Sequence, residues 1–206
     1  MLGISLDIND YLSYLIDKLH KLDLDNIRLM SDLIYKTWQS DNTIYIIGNG
    51  GSATTATHMS EDLAKSTIPD DKLLNYYGSR LKVISLTDNI GWITAVANDL
   101  DYDYIFVQQL QTLARSGDLL MAISGSGNSR NIIEAVNYAN IFNIQTFGLT
   151  GFDGGELKKI QKNGIHVDCN DMGMVESIHL CLFHWVLNDV HARINRVGRY
   201  ENKNNN

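Results

Sequence analysis

Cysteine is scarce in this chain of 206 residues: there are two, Cys169 and Cys181. That number excludes a disulfide scaffold and a zinc ribbon, and both sit in apolar stretches that read as buried thiols. Long hydrophobic runs are missing as well, since no apolar stretch approaches the ~20 residues a membrane helix needs. The segment from Met1 to Asp10 has no basic region, apolar core or small-residue cleavage site, so no secretory signal is expected. Basic charge is in deficit, with 17 Lys and Arg against 24 Asp and Glu, a formal charge of −7. That balance argues against generic DNA or RNA binding, which relies on cationic side chains neutralising phosphates. It leaves room for a small anion held by backbone amides. No nucleic-acid partner and no membrane are expected, and the cytoplasm is the expected compartment.

What is present is ordinary for a globular protein, 44% hydrophobic and 20% charged, and long enough for one domain with a proper core. Apolar residues at helical spacing predict a helix within Leu6–Leu22 and a second over Ile27–Trp38, after Asp25. Short runs rich in β-branched and aliphatic residues predict strands at Thr43–Ile47, Lys82–Leu86, Asp118–Ile123, Gln145–Leu149 and Ile165–Asp168. Between them lie helix-compatible stretches at Ala53–Lys65, Trp92–Asn98, Tyr102–Ala114 and Asn131–Ile141, with a short helix after the fourth strand. Met174–Ile194 reads as a long final helix. The one proline, Pro69, sits in a polar connection from Ser66 to Ser79. Strands that alternate with helices and read as continuous apolar runs predict an α/β fold with a five-stranded parallel sheet covered on both faces. Right-handed crossovers bring the ends of the first and third strands to one edge, where ligands bind in such folds. Residues 1–198 are read as one domain including the N-terminal helical pair, and 199–206 as a disordered tail.

Two strand-to-helix junctions stand out: Gly48-Asn-Gly-Gly-Ser52 and Ser124-Gly-Ser-Gly-Asn-Ser129. Glycine lets the backbone turn and approach a ligand closely, and the helix that follows offers unpaired amides to an anion. Ser124, Ser126 and Ser129 can donate hydroxyls to phosphate oxygens without adding charge. The plainer alternative is a pair of tight turns with serine helix caps. Neither loop matches G-x-x-x-x-G-K-[ST], and Arg130 stands where a dinucleotide fingerprint needs its third glycine.

Together, Gly-Asn-Gly-Gly-Ser and Ile-Ser-Gly-Ser-Gly-Asn-Ser resemble the sugar isomerase (SIS) domain, and most of all its phosphoheptose isomerase group. The resemblance extends to Ala97-Asn-Asp-Leu100, to Leu149-Thr-Gly-Phe-Asp-Gly-Gly155 and to Glu176-Ser-Ile-His-Leu-Cys-Leu-Phe-His184. It implies a flavodoxin-like, doubly wound sheet. The implied activity is an aldose–ketose isomerase converting sedoheptulose 7-phosphate to D-glycero-D-manno-heptose 7-phosphate, for heptose-containing surface glycans. It also implies a homotetramer with active sites between subunits.

Such a reaction needs a base beside a carbonyl and an acid to stabilise the enediolate. His58 and Asp62 are four apart on the helix after the first loop, so they share a face. By resemblance, Asp62 and His184 are the catalytic residues. Ser124, Ser126 and Ser129, with the amides from Gly125 to Asn128, hold the phosphate. Asn49, Ser52 and Asp99 contact sugar hydroxyls or order the first loop, and Glu176 completes the site. His58, Asp62, Glu176 and His184 are the positions that would hold zinc if one is bound; no organic cofactor is implied. Asp62 stands where the family commonly has glutamate, and Glu176 where it commonly has glutamine. The shorter carboxylate retracts the base by roughly an ångström, which can cost about 100-fold in rate. Glu176 and His184 are eight residues apart, about 12 Å along an ideal helix. Two alternatives remain: a binding protein of the replication-initiator-binding type that keeps the fold without catalysis, and an isomerase for a different ketose phosphate. His20, His166 and His191 receive no role.

Overall fold

The computed structural model describes residues 4–75 and 77–201. Helices α1 (Ile8–His20) and α2 (Leu24–Gln39) start where aspartates cap them. Asp7 accepts from the amides of Asn9 and Asp10, and Asp23 from those of Asp25 and Asn26. The cap of α2 is therefore Asp23, and its first turn lies ahead of the Ile27 start that apolar spacing predicts.

Strands β1 (Thr43–Gly48), β2 (Lys82–Ser85), β3 (Leu119–Ser124), β4 (Gln145–Thr150) and β5 (Asn163–His166) form one sheet. Its order is β2-β1-β3-β4-β5 and every pairing is parallel. The expected five-stranded, doubly wound α/β sheet is thus what the chain forms. The remaining helices are α3 (Gly51–Lys65), α4 (Ile90–Asp99), α5 (Val107–Leu113), α6 (Arg130–Ile141), α7 (Leu157–Ile160) and α8 (Met172–Asn195).

Side chains alternate across β1. Ile44 and Ile46 face a core shared with α2, α3 and α8, built on Met30, Ile34, Leu63 and Val186. Tyr45 and Ile47 face the opposite core, built on Phe106, Leu110, Ile132 and Val136. Both faces are covered, which is why the strands read as unbroken apolar runs. Burying one such side chain contributes about 1.5–3 kcal/mol. No helix among the described residues is long and apolar enough to cross a membrane.

Four local expectations need correction. The stretch Tyr102–Ala114 is not one helix: a 3-10 turn at Tyr102–Tyr104, with Asp101 accepting from the Asp103 amide, precedes α5. The break puts Ile105 and Phe106 into the second core and frees Tyr102 to reach the first loop. The fifth strand sits two residues earlier than Ile165–Asp168, because its register is set by pairing Phe147–Thr150 with Asn163–His166. Cys169 is buried, but Cys181 is exposed on the outer side of α8. Arg199 and Tyr200, expected in the tail, lie in a 3-10 turn instead. They are drawn to the buried carboxylate of Asp189, which accepts from Arg199 at 2.5 Å and from the Tyr200 hydroxyl at 3.0 Å. Residues 202–206 of the expected tail lie outside the described residues.

Candidate functional site

β1 and β3 are neighbours, yet the chain leaves them toward opposite faces of the sheet: α3 packs into the first core and α6 into the second. The loops after the two strands diverge and leave a crevice between them. This crevice is a cleft of about 300 Å³ lined by Asn49, Gly50, Gly51 and Ser52 on one side and Ser124, Gly125, Ser126 and Ser129 on the other. Met172 and Glu176 of α8 close it.

The second loop is tightly wound. The Gly127 amide donates to Ser124 Oγ at 3.1 Å and the Asn128 amide to Ser126 Oγ at 3.3 Å. Gly127 has φ +68, and a Cβ there would stand 2.0 Å from the carbonyl oxygen of Gly154, so the loop after β4 rests directly on it. That third loop is pinned by the Leu157 amide donating to Gly127 and the Gly151 amide donating to Gly125. The plainer reading holds for the turns, which Ser124 and Ser126 close through their hydroxyls, but not for the caps. Ser129 is the N-cap of α6 yet makes no side-chain cap hydrogen bond, and the N-cap of α3 is Gly50, which has no side chain to cap with. The Ser129 hydroxyl instead stands 3.5 Å from that of Ser124. The hydroxyls of Ser124, Ser126 and Ser129 therefore line one cleft that holds no lysine or arginine.

Asn49 and Asn131 exchange two amide hydrogen bonds, each 2.9 Å, and the Tyr102 hydroxyl donates to Asn49 Oδ1 at 3.0 Å. Asn131, almost fully buried, ties the first loop to the first turn of α6. Asn49 thus orders the loop, one of the two roles the sequence left open for it. Asn131 and Tyr102 were not anticipated. Their only signal is a polar residue at a helix start and a tyrosine in an apolar run, neither of which indicates a partner.

A second group lies further along the seam between α3 and α8. His58 Nε2 is 3.3 Å from Asp62 Oδ2, and the rings of His58 and His184 meet edge to face at 5.4 Å. One donor atom from each of His58, Asp62 and His184 lies within 4.8 Å of the others. His184 Nδ1 is 3.0 Å from the Leu180 carbonyl. A carbonyl only accepts, so Nδ1 carries the proton there and Nε2 keeps its lone pair. Two imidazoles and a carboxylate are a donor set that suits zinc.

Glu176 does not join this group. It lies on the same unbroken helix, eight residues before His184 and about 12 Å along the axis. Its carboxylate lies over Gly51, where a Cβ would come within 2.5 Å of Oε1. Of the four residues expected to hold a metal, three thus stand together, and Glu176 lies in the serine-lined cleft instead. Asp99 ends α4, exposed and accepting from Asn98, and is not among the residues that line the cleft. His179 is fully buried beneath the site, its Nε2 3.4 Å from the Thr150 carbonyl, and burial pushes its pKa down to about 4. It is therefore neutral near pH 7.

Residues 9–151 match the family model described as the SIS domain. A protein named probable phosphoheptose isomerase from Thermoplasma acidophilum is 34% identical over 80% of this chain and 87% of its own length. The phosphoheptose isomerase of Aliarcobacter butzleri is 35% identical over 76% of this chain and 79% of its own. Among solved structures, phosphoheptose isomerase from Neisseria gonorrhoeae superposes with a TM-score of 0.80 at 26% identity, covering 93% of this chain and all of that one. With such agreement in sequence and backbone over most of its length, the chain belongs to the SIS domain family and, within it, to the phosphoheptose isomerase family.

Proposed function

We propose that this chain is an aldose–ketose isomerase that converts sedoheptulose 7-phosphate to D-glycero-D-manno-heptose 7-phosphate. The observation that carries the proposal is one seam holding two sites: the serine-lined cleft where α3 begins, and His58, Asp62 and His184 beyond it. Their separation, about 12 Å along α8 from Glu176 to His184, suits a substrate whose phosphate and carbonyl stand at opposite ends of a seven-carbon chain. Ser124, Ser126 and Ser129 hold the phosphate. Asp62 takes the proton from C1 of the ketose and returns it to C2, so the carbon skeleton is neither oxidised nor reduced overall. Through Nε2, His184 moves a proton between the two adjacent oxygens, removing it from one and supplying it to the other. His58, whose Nε2 stands 3.3 Å from Asp62 Oδ2, orients the carboxylate.

His58, Asp62 and His184 would hold a zinc ion. A bound ion would occupy His184 Nε2 and, in place of that proton transfer, would supply Lewis-acid stabilisation of negative charge on the substrate oxygen. We propose further that the chain assembles as a homotetramer with shared active sites in the cytoplasm and supplies heptose for a surface glycan. An outward stripe of Ile8, Leu12 and Ile16 on α1, each about half exposed or more, supports burial against another subunit.

The test is turnover of sedoheptulose 7-phosphate followed by NMR, with and without added zinc. Formation of the heptose 7-phosphate, abolished by Asp62→Asn and by His184→Ala, is the expected result. Binding of the sugar phosphate without turnover in either arm would replace the enzyme reading with a binding role.

A further inference from the structure

Met30, Met59, Met121 and Met174 are buried, none more than 4% exposed. Met172, the first residue of α8, is 36% exposed. Its thioether lies directly on the loop after β3: a Cβ on Gly125 would stand 2.4 Å from its Sδ and 3.0 Å from its Cε. Met172 lines the serine cleft and also a neighbouring cavity of about 410 Å³, which shares Ser126 with it and is bounded by Asn128, Phe152, Asp153 and Asn170. The Asp171 carboxylate accepts from the Met174 amide at 3.2 Å and caps the helix, so the backbone at position 172 is held in place. The exposed thioether among the described methionines is therefore the one that packs between Ser124 and Ser126.

We propose that Met172 is a site of reversible oxidation by hydroperoxides, and that its sulfoxide shuts the cleft to phosphate. This rests on the phosphate reading of the cleft given above. The sulfur lone pair attacks one peroxide oxygen. The O–O bond breaks, an S–O bond forms, and the other oxygen leaves with the proton as water or an alcohol. Sulfur gives up two electrons and the peroxide takes them. The product is a polar side chain where a soft apolar one stood, and its oxygen accepts hydrogen bonds. Gly125 closes one side of the sulfur, so the new oxygen points into a cavity or the side chain leaves the loop. In the cleft, that oxygen takes the Ser124 and Ser126 hydroxyls that a phosphate needs, and its partial negative charge repels the anion. Otherwise the packing that seats Gly125 between the two serines is lost. Methionine sulfoxide reductases reverse the change: two thiols supply the electrons and become a disulfide, the S–O bond breaks, and water leaves.

The test is treatment of the whole chain with hydrogen peroxide. Peptide mass spectrometry reads the added oxygen at each methionine, and calorimetry reads affinity for sedoheptulose 7-phosphate. Met172 should oxidise ahead of Met30, Met59, Met121 and Met174. As its sulfoxide accumulates, affinity should fall by about tenfold or more, the loss that goes with one hydrogen bond to a charged group. Methionine sulfoxide reductases should restore it, a readout that needs no variant. Met172→Leu, whatever affinity it starts from, should keep that affinity through the same treatment. Cys181→Ser, which lacks the exposed thiol, should lose affinity as the intact chain does. Unchanged affinity with Met172 fully oxidised overturns the switch and leaves the phosphate cleft standing. So does a fall in affinity in Met172→Leu, resistance in Cys181→Ser, or oxidation of the buried methionines before Met172. Failure of the untreated chain to bind either sedoheptulose 7-phosphate or inorganic phosphate overturns the phosphate cleft and the switch together.

Discussion

Replacing Ser129 by alanine separates a helix cap from a phosphate ligand. A serine that caps a helix through its side chain contributes about 1 kcal/mol, and its loss to alanine costs about 0.5–2 kcal/mol. Ser129 occupies the N-cap of α6, yet its hydroxyl makes no cap hydrogen bond; its nearest polar contact is the Ser124 hydroxyl at 3.5 Å. That contact is at the limit of a hydrogen bond, so Ser129→Ala should cost no more than about 0.5 kcal/mol. For a chain of this size that is a fall in Tm of about 2 °C or less. Phosphate binding should respond quite differently. A hydrogen bond to a charged group contributes about 1.5–3 kcal/mol, so sugar-phosphate affinity should fall roughly 10- to 150-fold. Thermal denaturation and calorimetric titration with sedoheptulose 7-phosphate read the two effects separately. A Tm lower by more than about 4 °C with unchanged affinity would refute the reasoning and return Ser129 to the role of a cap.

Gly127→Ala should damage both stability and binding. The left-handed backbone alone costs an alanine about 1–2 kcal/mol. The new Cβ would also fall 2.0 Å from the Gly154 carbonyl, backbone against backbone, so the third loop must retreat by about an ångström. KM for the sugar phosphate should rise by about tenfold or more, because displacing the loop misplaces the Ser124 and Ser126 hydroxyls it holds; an unchanged KM would sink the claim that this loop shapes the site. His179 predicts a pH dependence of stability. Burial lowers its folded-state pKa from 6.5 to about 4, so the unfolded chain binds the proton first as pH falls. Its contribution is intact above about pH 6.5 and is lost progectively down to about pH 4, on the order of 3 kcal/mol in all. Urea denaturation at a series of pH values checks this; the Ca. pH 6.5-to-4 loss should be absent from a His179→Gln variant that folds.

Much of the architecture was legible because it rests on local chemistry. The unbroken apolar run of β1, the helical spacing of apolar residues in α1 and α2, and the glycine and serine runs after β1 and β3 each express a preference of neighbouring residues. Parallel strands then bring the two glycine-rich loops, and the serines they carry, to one edge. His58 and Asp62 share a face by helical spacing alone. The tertiary structure decided the rest. His184 reaches His58 and Asp62 only because α8 packs along α3, and the spacing of Glu176 and His184 on one straight helix sends them to different sites. Asn49 becomes a loop brace because Asn131 and Tyr102, distant in sequence, complete its hydrogen bonds. The exposure of Cys181 and the break before α5 depend likewise on which surface faces which core. Spacing along one element is written in covalent geometry, whereas contact between elements depends on sheet order and packing, which no short stretch of sequence carries.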